Sequence, residues 1–126
     1  MSSEDDYRIS RLRALNTAVA KGHKDIVSLR ELLICTTDKT TVAGANAYFQ
    51  QHQNDVELLS ALMQIALEGD DAGDAPWAAA NVIADFPAAM LLPHKSSLEQ
   101  LAEHPWMYLH IPARDALAKI KELGVN

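Results

Sequence analysis

The sequence predicts an all-α protein, and three observations carry that expectation. Apolar residues recur at three- and four-residue spacing through most of the 126 residues, the period that lays one apolar stripe along a helix. No stretch alternates apolar and polar residues with period two for long enough to make a strand. Proline, glycine and capping residues fall between the periodic stretches, where helices begin and end. The pattern gives about six to eight helices, and the length and 48% hydrophobic content suit one domain over residues 1–126.

In order along the chain, Ile9, Leu12, Leu15 and Val19 form the stripe of a first helix that ends near Gly22. A second begins near Asp25 and carries Ile26, Leu29, Leu32 and Leu33. A third, between about Thr41 and His52, carries Val42, Ala45, Tyr48 and Phe49, with Gly44 and a β-branched start lowering its intrinsic propensity. Asn54 and Glu57 have capping-box spacing before a fourth helix. Val56, Leu58, Leu59, Leu62, Met63, Ile65, Ala66 and Leu67 cover most of its circumference, so it should be central and buried. Residues 68–73 close it in an acidic, glycine-bearing loop.

Asp74 is placed to cap a fifth helix with Pro76 in its first turn and Trp77, Ala80, Ile83 and Ala84 facing inward. Pro87 and Pro93 bracket residues 88–92, a short apolar connector or a single helical turn. Ser96 and Glu99 make a second capping box ahead of Leu98 and Leu101. The last helix is expected from about Pro112 to Leu123 with Gly124 ending it, which leaves Pro105 to Pro112 as a connector.

Charge is distributed very unevenly. The net charge is −6, yet residues 40–94 hold no lysine or arginine and seven acids: Asp55, Glu57, Glu68, Asp70, Asp71, Asp74 and Asp85. The flanking segments are close to balanced. A surface of one sign steers an oppositely charged molecule and repels nucleic acid or anionic membrane, so a basic protein is the expected partner, with no nucleic acid and no membrane. Arg8, Arg11 and Arg13 are the only clustered cations and alternate with Ile9 and Leu12, as the solvated face of a helix does.

Motifs for chemistry are sparse. The single cysteine, Cys35, cannot form an internal disulfide, and its place in Leu32-Leu33-Ile34-Cys35 suits a buried core thiol of a cytoplasmic protein. The acidic start, Met-Ser-Ser-Glu-Asp-Asp, has neither the basic nor the apolar region of a signal peptide, and no apolar run approaches the roughly 20 residues of a membrane span. His94, His104 and His110 with Glu103 lack the spacing of a metal site, and each histidine suits a helix end. Glu68, Asp70, Asp71 and Asp74 do not follow the EF-hand order of ligands and glycine, so the loop reads as solvated acid without metal. The expectation is a protein that is not an enzyme and uses no cofactor. Among the aromatics, Trp106 and Tyr108 are the expected partner contacts, because they lie in the proline-bounded connector and not on a helix that must pack.

The second half contains an internal repeat. Pro76 to Phe86 and Pro112 to Leu123 both open with proline, are rich in alanine, and follow a helix of their own, at 55–67 and 97–103. The run Pro112-Ala-Arg114-Asp-Ala116-Leu117-Ala118 resembles the second helix of a HEAT-like repeat, in which proline starts the helix and an arginine two residues later reaches a neighbouring acid. The earlier copy departs from this, with Ala78 where Arg114 stands. The resemblance covers residues 54–124 and implies helical hairpins stacked as a short α-solenoid, with residues 1–52 as N-terminal helices that continue or cap it. Such folds serve mainly as binding surfaces.

Small size, absent catalytic motifs and concentrated acid are together similar to immunity proteins, antitoxins that neutralise a bacterial toxin domain. The resemblance implies an inhibitor that covers the active site of a basic nuclease, whose cleft is cationic to hold phosphates. The residues expected to make that contact are Asp55, Glu57, Glu68, Asp70, Asp71, Asp74, Trp106 and Tyr108. The other expectation is a HEAT-like adaptor with an unrelated protein partner, its acids keeping it in solution.

Overall fold

A computed structural model describes residues 3–20, 26–69 and 73–124. The elements are α1 (Ser3–Ala20), α2 (Ile26–Cys35), α3 (Val42–Gln51), α4 (Val56–Ala66), α5 (Ala75–Ala84), α6 (Ala88–Leu91), a 3-10 turn (Leu92–His94), α7 (Lys95–Ala102) and α8 (Met107–Glu122). The fold is all-α, with no strand among the described residues and a number of helices in the expected range. None of these helices is long and apolar enough to cross a membrane. The chain divides into two compact units, Met1–His52 and Gln53–Asn126.

In the first unit the expected stripes form the core. Leu12, Leu15, Leu29, Leu32, Leu33, Ala45, Tyr48 and Phe49 are buried. The side chain of Val19, and Gly22 and Asp25 entirely, lie outside the described residues. Gly44 has a packing reason to be in α3: a Cβ there would sit 2.5 Å from Leu12 Cδ2, so a larger residue would require the Leu12 side chain to move. The run from Thr36 to Thr41 forms a turn because its side chains serve backbone groups. Thr36 and Thr37 hydroxyls donate to Leu33 and Ile34 carbonyls at 2.6 and 2.7 Å, satisfying acceptors at the end of α2. The Asp38 carboxylate accepts from the Thr40 N–H at 2.8 Å, and the Thr41 hydroxyl donates to the Cys35 carbonyl at 2.9 Å.

Two expectations for this unit change. Cys35 is half-buried, and Ile34 is exposed. Successive helical residues are rotated by about 100°, so a four-residue apolar run cannot all face one core. Arg8 and Arg11 are also more than a solvated face. Arg11 holds Glu31 with two bonds of 2.7 Å, and Arg8 lies 3.0 Å from Asp38.

In the second unit α4 is central as expected, with Leu58, Leu59, Ala61, Leu62, Met63, Ile65 and Ala66 buried, although Val56 is exposed. Its cap is Asp55 and not Asn54: the Asp55 carboxylate accepts from the Leu58 N–H at 3.0 Å. Asp74 is not a side-chain cap of α5. Its backbone is already helical, at φ −84° and ψ −19°, and no side-chain bond to the helix backbone forms. Ser96 lies inside α7, because the 3-10 turn leads into that helix without a break and supplies the carbonyls a cap would replace. Gly124, at φ 73°, follows the end of α8 as expected.

The largest correction concerns α8. It begins at Met107, with Trp106 as N-cap, so Pro112 lies inside the helix and the expected connector is mostly its first turns. An interior proline removes one backbone bond, the one position 112 would donate to the Tyr108 carbonyl, at a cost of about 3 kcal/mol. Burial of Leu109, Pro112, Ala113, Ala116 and Ile120 along one face offsets it.

α4 and α5 form one helical hairpin, α7 and α8 another. The starts of α5 and α8 meet through Trp77 and Tyr108, and their ends through Lys119, whose ammonium donates to the Ala84 and Phe86 carbonyls at 2.6 Å each. The second helices of the two hairpins therefore run parallel, a helical-repeat-like arrangement. The repeat holds in outline only. Pro76 stands in the first turn of α5 and Pro112 well inside α8, and Arg114 reaches no acid among the described residues but donates to the Ala102 carbonyl at 3.1 Å, capping α7.

Candidate functional site

The acids expected to act together lie at two ends of one hairpin. Asp55 and Glu57 are at the start of α4, and Glu68 follows its end. With 11 residues in α4 and a rise of 1.5 Å each, about 16 Å separates them. Gln53 Nε2 donates to the Asp85 carbonyl at 2.9 Å, which places the end of α5, and Asp85 with it, beside Asp55 and Glu57. Glu68 and Asp74 stand at the opposite end. Asp70 and Asp71 lie outside the described residues.

At the Asp74 end the aromatic expectation and the acidic one converge. One Asp74 carboxylate oxygen accepts from the Trp77 indole N–H at 3.1 Å. The Trp77 ring lies 5.8 Å from Tyr108, centroid to centroid and tilted by 38°, and Trp106 meets Tyr108 edge-on at 5.5 Å and 85°. Asp74, Trp106 and Tyr108, separate expectations of the sequence, thus belong to one cluster, with Trp77 as the residue that joins them. Trp77 is half-buried, in contact with α8 through Tyr108. The signal that would have found it is its position three residues after Asp74, one helical turn.

The cluster is open to solvent. Tyr108 is 55% exposed, and Met107 and Ile111 beside it on α8 are exposed at 52% and 46%. Its floor is fixed by polar contacts at the α7–α8 junction. His104 Nδ1 accepts from the Trp106 N–H at 3.0 Å, and His110 Nδ1, facing a carbonyl that can only accept, donates to the His104 carbonyl at 2.9 Å. The acidic loop comes close to the same junction, since a Cβ at Gly69 would lie 3.5 Å from His104 Nε2. These histidines serve the backbone, and no group of three or more metal-ligating side chains occurs among the described residues.

The arginine of α8 nearest the site is engaged elsewhere. Arg114 donates to the Ala102 carbonyl, and Asp74 forms no ion pair among the described residues. In the first unit, a cleft lined by Tyr7, Arg8, Arg11, Ile34 and Cys35 offers little chemistry. Burial pushes the Cys35 thiol up from its ordinary pKa, against a smaller opposing contact with Thr41, so the nucleophilic thiolate is disfavoured. The Arg11 guanidinium holds the Glu31 carboxyl below the usual carboxylate range, and is itself occupied by that pair. No family model, curated protein or solved structure matches the chain.

Proposed function

We propose that this protein is a HEAT-like protein-binding module whose partner is basic, and that it acts as an immunity protein: an antitoxin that covers the cationic active site of a bacterial nuclease domain. The observation that carries the reading is the stretch from 40 to 94 with seven acids and no lysine or arginine. The aromatic cluster adds to it, since exposed Tyr108 with half-buried tryptophans beside a carboxylate provides both anchors and steering. The split between the two ends of α4 favours Glu68, Asp74, Trp106 and Tyr108 as the main contact, with Asp55 and Glu57 contributing long-range attraction.

Binding to the domain encoded immediately upstream, measured by titration calorimetry at low and high salt beside a growth-protection assay, tests the proposal. Tight, salt-weakened binding with rescue of growth is the expected result. Absence of both binding and protection would overturn it in favour of an adaptor with another partner.

A further inference from the structure

We infer that the cluster of Trp77, Trp106, Tyr108 and Asp74 is a seat for one guanidinium group, an arginine side chain presented by the partner. The inference rests on the proposed reading only for the source of that arginine.

Three π faces and one carboxylate meet at the start of α5 and α8. Trp106 stands nearly perpendicular to Tyr108, while Trp77 is tilted to it by 38°, so the rings present faces in more than one direction around Tyr108. A cation over such a face is attracted by the ring quadrupole, most strongly over tryptophan. Asp74 supplies the counter-charge. One of its oxygens is fixed by the Trp77 indole at 3.1 Å, the residue is exposed, and no cation of this chain pairs with it among the described residues.

The chemistry selects arginine over lysine. A guanidinium is planar and weakly hydrated, stacks on aromatic faces and directs its N–H groups at a carboxylate in the same plane. An ammonium holds its water more tightly and stacks less well. Local charge favours a cation of either kind, because Glu68 and Glu103 border this end of the unit and the nearby Arg114 is directed away, onto the Ala102 carbonyl.

The chain's two tryptophans are both in the cluster, so the indole N–H signals of the ¹⁵N-labelled full-length protein report on this site alone. The probe is acetyl-Gly-Arg-Gly-amide, with the citrulline and lysine peptides as neutral and ammonium counterparts. Saturable shifts of both indole signals are expected with the arginine peptide, weaker ones with lysine and none that saturate with citrulline. Tyr108→Leu and Asp74→Asn should each weaken the arginine peptide by about two- to five-fold, with an unchanged helical circular dichroism spectrum. Equal response to citrulline or lysine, no saturable response, or unchanged affinity in both variants would overturn the assignment. The peptide is independent of any natural partner. Peptide binding without recognition of the upstream domain would leave the seat standing and remove the immunity reading, whereas tight binding of that domain unaffected by either variant would do the reverse.

Discussion

Lys119 reaches from α8 to two carbonyls at the end of α5, each at 2.6 Å, where a helix leaves acceptors unpaired and carries partial negative charge. Hydrogen bonds from a charged donor contribute about 1.5–3 kcal/mol when their loss strands a partner. Lys119→Met, which keeps the aliphatic stem, should lower stability by roughly 2 kcal/mol in urea unfolding, and a change under 0.5 kcal/mol would show the carbonyls to be served by water. This contact was not legible in the sequence, because it depends on the register between two helices 35 residues apart. Cys35 shows a different limit: helical period located its helix but not its rotation, which exposes Ile34 and leaves the thiol half-buried. Burial raises its pKa, so less thiolate is present at pH 7 than in a free cysteine. Iodoacetamide should therefore alkylate Cys35 several-fold more slowly than it alkylates a cysteine peptide at pH 7, the rate climbing through a more alkaline range. A rate equal to the peptide's would contradict the buried thiol.

At the scale of elements, the sequence period located the helices well and their first residues poorly. α4 was legible because seven buried side chains surround it. Its cap was displaced by one residue because Asn54 and Asp55 are both good capping residues and only geometry decides between them. The start of α8 was concealed by Pro112, which by propensity opens a helix, whereas tertiary burial of Leu109 extends this one past it. Gly44 looked like a weakness of α3 and is instead a close approach to Leu12. Gly44→Ala should gain up to about 1 kcal/mol of helix propensity yet lose about 1–3 to the displaced Leu12, for a net destabilisation near 1 kcal/mol by thermal or urea unfolding. In a Leu12→Ala background the same change should stabilise, since the obstructing methyl is gone. Equal effects in both backgrounds would sink this account of the glycine.

For the molecule as a whole, apolar periodicity carried the fold class and the order of acids the charge pattern, but neither showed the distribution of that charge in space. The five described acids of that run divide between the two ends of α4, because a helix carries residues 13 apart, such as Asp55 and Glu68, to opposite ends. That division makes a prediction for association with the proposed basic partner at low salt. Glu68→Gln with Asp74→Asn should slow association several-fold, and Asp55→Asn with Glu57→Gln should slow it less. The reverse order would move the contact to the other end. A labelled DNA duplex should show no anisotropy change with the protein at 50 mM salt, since the net charge is −6 and two of the three clustered arginines, Arg8 and Arg11, are engaged by Asp38 and Glu31. A rise in anisotropy would contradict the sign of the surface. One consequence of α8 bears on how such a molecule can change over generations. Its exposed residues Met107, Tyr108 and Ile111 precede or flank Pro112, while Ala113, Ala116 and Ile120 beyond it are buried, and the missing backbone bond at Pro112 falls between the two groups. Under the proposed reading, substitutions at these three exposed positions change recognition while the buried face, which includes Leu109 on the same side of the proline, holds the fold, so that specificity and stability are open to nearly independent selection.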